Sequence, residues 1–249
     1  MGIALDLDGV VWLGDEPIEG SADAVARLRA AGEQVLFCTN VSVLRVADIE
    51  AKLVRHGIPA AGDVVTGATA VGTLVDVGER VLVWAAGGVT EAVEARGARV
   101  VHEGPADAVV IGMHFDFDYA GLERAARAVS SGARLLATGD DPVYPTATGL
   151  SPGTGALLAA VETATGGKAT LAGKPHGPMV ALVRDRLGAD GLMIGDRPDS
   201  DGRFALALGF RFGLVLSGVT SSARDAEPPP HVVAADLATM VDVLLSDRG

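Results

Sequence analysis

The chain has 249 residues, 49 % of them hydrophobic and 4 % aromatic, with a formal net charge of −12. This acidic balance, without any basic run, argues against a nucleic-acid or anionic-membrane partner. No segment reaches the ~18 consecutive apolar residues of a membrane helix, and the N-terminus lacks a signal-peptide pattern. The single cysteine, Cys38, excludes an internal disulfide framework. We therefore expect a cytoplasmic protein with a sizeable core.

Strand-like and helix-like segments alternate along the chain. In chain order, the sequence predicts strands at 3–8, 34–38, 81–85, 108–111, 134–137, 171–172, 192–194 and 212–216. It predicts helices at 21–31, 43–56, 67–77, 89–96, 119–131, 156–165, 177–187 and 203–208, with further elements over 232–246. Residues 138–155 are predicted to be irregular and polar. This alternation is typical of an α/β fold in which helices cover a parallel sheet.

Acidic residues concentrate in two segments that lie far apart in the sequence, near residue 8 and near residue 198. The residues between them contain a complete set of strands and helices of their own. The economical interpretation is a domain inserted into another domain. We therefore predict a discontinuous core over 1–78 and 169–249 and an inserted domain over 79–168.

Four short polar segments each follow a predicted strand. They are Asp6 with Asp8, Thr39 with Asn40, Lys174, and Asp196 with Asp199 and Asp201. Ligands of open α/β sheets bind at the carboxyl ends of the strands, so we expect the four segments to meet at one edge. Carboxylates held so close repel each other unless a cation or a chemical role keeps them there.

This set of groups suits the transfer of a phosphoryl group. Asp6 is the predicted nucleophile that attacks phosphorus, and Asp8 is the predicted acid and base for the leaving oxygen and for water. Because nucleophile and phosphate are both anions, we expect a Mg²⁺ ion held by Asp6, Asp196 and the main-chain carbonyl of Leu7 or Asp8. The groups expected to bind phosphate oxygens are Thr39 Oγ, the Asn40 N–H and Lys174.

In their order, these motifs resemble those of haloacid dehalogenase (HAD) superfamily phosphatases. The closest resemblance is to the class IIA, nitrophenyl-phosphatase-like group, which carries a C2-type cap. The resemblance covers nearly the whole chain, through Asp6–Val10, Thr39–Asn40, Pro152–Leu157, Gly173–Pro175 and Gly195–Asp201. It implies a Rossmann-like parallel-sheet core, Mg²⁺, an aspartyl-phosphate intermediate and a cap over 79–168. Because relatives often pair through their caps, it also implies a homodimer.

The family's roles map onto the same residues. The resemblance makes Asp6 the nucleophile, Asp8 the acid and base, and Asp196 a metal ligand. Asp201 matches the second acid of the last motif, which supports the metal shell. Asp199 is predicted either to support that shell or to be a solvated or helix-capping acid.

Two departures from the family pattern are present, and the second of them, in the cap, concerns the substrate. Val41 stands where the family often has a second Asn, and Thr138–Asp141 replaces the usual Thr-Asn-x-Asp of the cap. Cap loops shape the leaving-group pocket, so we name Asp141 and Tyr144 as candidate specificity residues. Trp12, just after the acidic turn, is expected to pack either at the site entrance or in the core.

The sequence thus predicts a Mg²⁺-dependent phosphomonoesterase for a small phosphorylated metabolite. Glycerol phosphate, phosphoglycolate, a sugar phosphate, pyridoxal phosphate and a nucleotide monophosphate all remain open as substrates. One alternative is a phosphotransferase such as a mutase. Another is a non-catalytic protein that binds a sugar phosphate, against which Asp8 argues because binding alone needs no acid or base there.

Overall fold

The structure is a computed structural model that describes residues 1–146 and 149–246. The strands are β1 (Gly2–Leu5), β2 (Trp12–Leu13), β3 (Glu16–Pro17), β4 (Gln34–Thr39), β5 (Val64–Thr66), β6 (Arg80–Trp84), β7 (Arg99–Val101), β8 (Ala108–Ile111), β9 (Arg134–Ala137), β10 (Val143–Thr146), β11 (Gly149–Pro152), β12 (Thr170–Leu171), β13 (Gly191–Gly195), β14 (Arg211–Val215) and β15 (Val232–Ala234). The helices are α1 (Ser21–Ala30), α2 (Val46–Arg55), α3 (Gly67–Gly72), α4 (Gly87–Ala95), α5 (Tyr119–Ser130), α6 (Thr154–Thr165), α7 (Gly177–Leu187), α8 (Arg203–Leu208) and α9 (Leu237–Ser246). None of the helices in the described ranges is long and apolar enough to cross a bilayer.

The chain divides into two compact units. Unit 1 comprises Met1–Thr39, Ala47–Val65 and Lys174–Gly249, and unit 2 comprises Asn40–Val46 and Thr66–Gly173. Unit 2 includes more residues than the predicted insertion of 79–168, because α3 packs against α4 and β12 pairs with β9. Which of these residues act as core and cap stays a prediction.

Unit 1 is built on a six-stranded sheet in the order β15-β14-β13-β1-β4-β5. The central strands β1 and β13 are buried along their whole length, as expected of parallel strands covered on both faces. Leu5 of β1 lies opposite Ile194 of β13 and Phe37 of β4. This register brings the carboxyl ends of β1, β4 and β13 to the same edge of the sheet. The predicted α/β class is confirmed.

Unit 2 contains a second parallel sheet, in the order β12-β9-β8-β6-β7. Its core contains apolar residues from β6, β8 and β9, packed with side chains from α5 and α6, among them Trp84, Ile111, Leu135, Ala125 and Val161. A complete strand-and-helix set of its own, as the sequence predicted for the intervening segment, therefore builds this unit.

Two predicted elements and one predicted sheet assignment were wrong. The stretch 138–155 is not irregular throughout, because β10 and β11 pair as an antiparallel hairpin with Val143 opposite Pro152. The helix predicted at 67–77 ends at Gly72, after which Thr73 and Leu74 donate to carbonyls three residues back. The strand before Lys174 does not belong to the same sheet as β1, since β12 pairs with β9 in unit 2.

Candidate active site

A tight turn follows β1 and carries the first two candidate acids. The Asp6 N–H donates to the Ile194 carbonyl at 2.9 Å, which extends the β1–β13 pairing by one residue. The Leu7 carbonyl then accepts the N–H groups of Val11 at 2.8 Å and of Val10 and Trp12 at 3.3 Å. Because the Leu7 carbonyl is engaged in the turn, the main-chain oxygen of Asp8 is the better of the two predicted carbonyl ligands.

Lys174 lies between two of the buried carboxylates. Its Nζ donates to Asp6 Oδ1 at 2.8 Å and to Asp201 Oδ1 at 2.7 Å. All three residues are buried. Lys174 and Asp6 are 168 positions apart in the chain, so the strand-end motifs meet although the strand before Lys174 lies in the other sheet.

Asp196 follows β13 and is held by the loop after β14. Its Oδ2 accepts the Val219 N–H at 2.6 Å. A β-carbon at Gly218, or at Gly9 with its φ of 79°, would overlap the Asp196 carboxylate. Ser217 Oγ ties the two loops together by donating to the Gly9 carbonyl at 2.7 Å. Sequence reasoning did not single out this loop, although it too follows a strand and contains a serine followed by a glycine.

Carboxylate oxygens of Asp6, Asp196 and Asp201 lie within 4.8 Å of one another. Oxygen-only donors at this separation fit a hard divalent cation such as Mg²⁺. Asp201, which was predicted to support the metal shell, therefore lies as close to the cluster as the two predicted ligands. The Asp8 side chain is not part of this group.

The electrostatics of the cluster follow from its burial. Burial raises the pKa of Asp6 to about 6, against the opposing charge of Lys174. Burial likewise raises the pKa of Asp196 and of Asp201 to about 6. Burial works against the charged form of Lys174, but the carboxylates of Asp201 and Asp6 outweigh it and hold the lysine pKa above its usual range. The charged ammonium of Lys174 thus faces carboxyl groups that can bind either protons or a cation.

Asp8 has a different environment from the other acids. Its side chain is solvent-accessible, and its Oδ1 accepts the indole Nε1–H of Trp12 at 3.0 Å. Partial desolvation by surrounding protein atoms raises its pKa, while the Trp12 hydrogen bond and the charges of Lys52 and Lys174 oppose the shift. A carboxyl that solvent reaches and that retains a proton more readily than usual is suited to exchanging protons.

The remaining predicted residues are distributed over both units. Thr39 is buried at the end of β4 in unit 1, whereas Asn40 is the first residue of unit 2. Within unit 2, Asn40 Nδ2 donates to Asp141 Oδ2 at 3.2 Å, and Tyr144 is half-buried in β10. Asp199 forms an ion pair with Arg197 at 3.1 Å, with 63 % of its side chain exposed.

Cys38 is adjacent to Thr39 in the sequence, so its thiol could be considered as a second nucleophile. Its thiol is fully buried, and burial raises its pKa to about 12. A thiol in this state is not a nucleophile, so we interpret Cys38 as a small apolar core residue.

Comparison with known proteins places these motifs in a family. Residues 3–99 match the model of haloacid dehalogenase-like hydrolases, and residues 171–240 match a second, HAD-hydrolase-like model. The chain is 36 % identical to D-glycerol 3-phosphate phosphatase of Mycobacterium tuberculosis, over 96 % of this chain and 70 % of the relative.

Two solved structures are similar over nearly the whole chain. The glycerol phosphate phosphatase of Mycobacterium tuberculosis in complex with magnesium has a TM-score of 0.87 at 34 % identity, covering 96 % of this chain and 76 % of that one. The p-nitrophenyl phosphatase of Archaeoglobus fulgidus has a TM-score of 0.90 at 25 % identity, covering 97 % and 98 %. The chain therefore belongs to the haloacid dehalogenase-like hydrolases, as its motifs predicted, and its similar proteins within that family are phosphatases.

Proposed function

We propose that this protein is a Mg²⁺-dependent phosphomonoesterase that hydrolyses a small phosphorylated metabolite. The observation that carries the proposal is the cluster of Asp6, Asp196 and Asp201 around Lys174 in unit 1. The phosphatase activities of the similar proteins support it. A glycerol phosphate is the first substrate to test, because the relative with 36 % identity is a glycerol 3-phosphate phosphatase.

In the first chemical step, an Asp6 carboxylate oxygen attacks phosphorus in line with the ester oxygen. The new bond joins Asp6 to phosphorus, the ester P–O bond breaks with its electron pair on the leaving oxygen, and Asp8 supplies the proton that makes the leaving group an alcohol. In the second step, water attacks the same phosphorus. Asp8 takes the proton from water, the Asp6–phosphorus bond breaks, and inorganic phosphate leaves.

Asp6, Asp196 and the main-chain carbonyl of Asp8 would hold the Mg²⁺ ion, with Asp201 beside them. Bound there, the ion supplies positive charge between the attacking carboxylate and the anionic phosphate. Three carboxylates offset by one ammonium leave a negative cluster, which favours a cation and makes phosphate binding without one unfavourable. The magnesium complex of the mycobacterial phosphatase supports this choice of metal.

Thr39 Oγ, the Asn40 N–H and Lys174 are the proposed donors to the phosphate oxygens. Hydrogen bonds to Asp6 and Asp201 position Lys174 for this role. Its positive charge therefore lies next to the Asp6 carboxylate that attacks phosphorus. Asp141 and Tyr144 of unit 2 stay candidate specificity residues. A cytoplasmic location and a homodimer formed through the cap stay predictions, and the second is testable by analytical ultracentrifugation.

The test is hydrolysis of 4-nitrophenyl phosphate with Mg²⁺ by the wild type, Asp6→Asn and Asp23→Asn. Asp6→Asn removes the nucleophile and should abolish turnover while leaving the far-UV circular dichroism spectrum intact. Asp23 is a matched control in the same unit, because its side chain is 75 % exposed. Unchanged hydrolysis by Asp6→Asn rejects the mechanism.

A screen of phosphate release over glycerol phosphates, sugar phosphates and nucleoside monophosphates then ranks substrates by kcat/KM. Product analysis with an added sugar acceptor distinguishes hydrolysis from phosphoryl transfer to a second metabolite. Ligand binding without any Mg²⁺-dependent release of phosphate would instead identify a non-catalytic sensor.

A further inference from the structure

Trp12 is a buried aromatic residue whose polar atom contacts an accessible acid. Its side chain is 4 % exposed, and its indole Nε1–H donates to Asp8 Oδ1 at 3.0 Å. A buried indole N–H needs a hydrogen-bond acceptor, and here the acceptor is the side chain proposed as the general acid and base. Sequence reasoning left open whether Trp12 packs at the site entrance or in the core; the structure buries its ring and places its N–H against Asp8.

The ring of Trp12 is fixed by contacts on several sides. Lys52 Nζ lies 4.4 Å from the ring centroid and is itself held by the Gly14 carbonyl at 2.6 Å. The ring of His56 packs against the indole at a centroid distance of 5.9 Å. The main chain of Trp12 is also fixed, because its carbonyl accepts the Gly9 N–H at 2.8 Å. The indole N–H is therefore a rigid donor, whereas Asp8 is on the solvent side of the contact.

We propose that Trp12 is a positioning residue that holds Asp8 in the orientation needed for proton transfer. The inference rests on the proposed function and adds to it a residue outside the family motifs named above. A solvent-accessible aspartate without a fixed partner samples several rotamers. The indole N–H occupies Oδ1 and leaves Oδ2 for the proton that goes to the leaving oxygen and later comes from water.

Trp12→Phe is the informative variant because it keeps an aromatic ring beside Lys52 and removes the N–H donor; the loss of the pyrrole carbons that comes with it is matched in the control. A hydrogen bond to a charged group contributes about 1.5–3 kcal/mol, which corresponds to a fall in kcat of roughly 10- to 100-fold if the bond acts in the transition state. We expect the KM for glycerol 3-phosphate, for which both chemical steps slow, to stay within about twofold of wild type. The matched control is Trp84→Phe, which changes the other tryptophan of the chain, in unit 2.

The nature of the leaving group separates positioning from a general loss of structure. 4-Nitrophenolate leaves without a proton, so Trp12→Phe should still transfer the phosphoryl group to Asp6 and then stall before water attacks. Stopped-flow measurements should therefore show a burst of about one nitrophenolate per enzyme followed by slow turnover. With glycerol 3-phosphate, whose alkoxide needs the proton, the first step should slow as well and no burst of glycerol should appear.

A second readout does not require turnover. In metal-free protein labelled with ¹⁵N-tryptophan, the two indole N–H signals are assigned by comparison with Trp84→Phe, and Asp8→Ala should shift the Trp12 signal alone. Wild-type rates in Trp12→Phe, or an indole signal of Trp12 that Asp8→Ala leaves unchanged, would overturn the inference. A wild-type enzyme inactive on every phosphate ester would instead refute the proposed function, so the two failures are distinguishable.

Discussion

Replacing Lys174 by Met tests the electrostatic balance of the site directly. The substitution removes the ammonium that bonds Asp6 at 2.8 Å and Asp201 at 2.7 Å, and it keeps a side chain of similar length. The Lys174 and Asp201 side chains are 2 % and 1 % exposed, and breaking a buried pair by removing one partner costs about 3–5 kcal/mol. We expect Lys174→Met to lose this much of the free energy of unfolding at pH 7.5.

The loss should be smaller at pH 5. Burial raises the folded-state pKa of Asp6, Asp196 and Asp201 to about 6, above the ordinary value for an aspartate. The folded state therefore binds protons that the unfolded state has released, and the stability these groups contribute is lost as pH rises through 6. Without Lys174 the carboxyls take up protons still more readily. At pH 5 protonation therefore removes most of the repulsion between them.

The assay is urea denaturation followed by far-UV circular dichroism at both pH values, without metal. Because two units need not unfold together, the variant is also measured in a Trp84→Phe background, where the fluorescence of Trp12 reports on unit 1. Lys168→Met is the matched control, since Lys168 forms an ion pair of the same length with Glu162 but is 85 % exposed. Such surface pairs contribute about 0–1 kcal/mol. A Lys174→Met loss no larger than the control's, or equal at pH 5 and 7.5, would refute the reasoning.

Two further predictions concern the neighbouring acids. Asp199→Asn should change kcat/KM less than about twofold, because its ion pair with Arg197 is exposed. Asp201→Asn, which weakens the buried contact with Lys174, should lower activity about 10- to 100-fold. Similar rates in Asp199→Asn and Asp201→Asn would contradict the roles assigned to both residues. Mg²⁺ should raise the melting temperature more at pH 7.5 than at pH 5, because at pH 5 protons occupy the carboxyls whose pKa burial raises to about 6. Calorimetry with Mg²⁺ or with EDTA measures the difference. Equal gains in melting temperature at the two pH values would argue against a metal at this site.

Local signals in the sequence predicted most helix positions. The helix predicted at 21–31 is α1 at Ser21–Ala30, and that predicted at 177–187 is α7 at Gly177–Leu187. Both follow from the spacing of apolar residues and from Gly and Pro at the ends, which act within a few positions of the chain. The hairpin of β10 and β11 was missed because its residues carry no strand-like alternation.

The sequence also predicted that Asp6, Asp196 and Lys174 come together, but the predicted position of the strand before Lys174 was wrong. The prediction assumed that the strand before Lys174 joins the sheet of β1, whereas β12 pairs with β9 in unit 2. Lys174 still contacts Asp6 and Asp201, because the chain re-enters unit 1 at Lys174 itself. The pairing of short strands depends on partners far away in the chain, which no local pattern records.

The sequence by itself determined the α/β class and the order of the motifs, and it predicted the acids and the lysine that we propose for phosphate chemistry, because residue type and strand-end position are local properties. Only the tertiary structure decided that Asp201 lies within the carboxylate cluster, that the loop of Ser217 and Val219 holds Asp196 and the turn after β1, and that Trp12 donates to Asp8. Most of these contacts join segments distant in the chain, and all depend on the direction of individual side chains. Packing fixes that direction, and the order of residues along the chain does not.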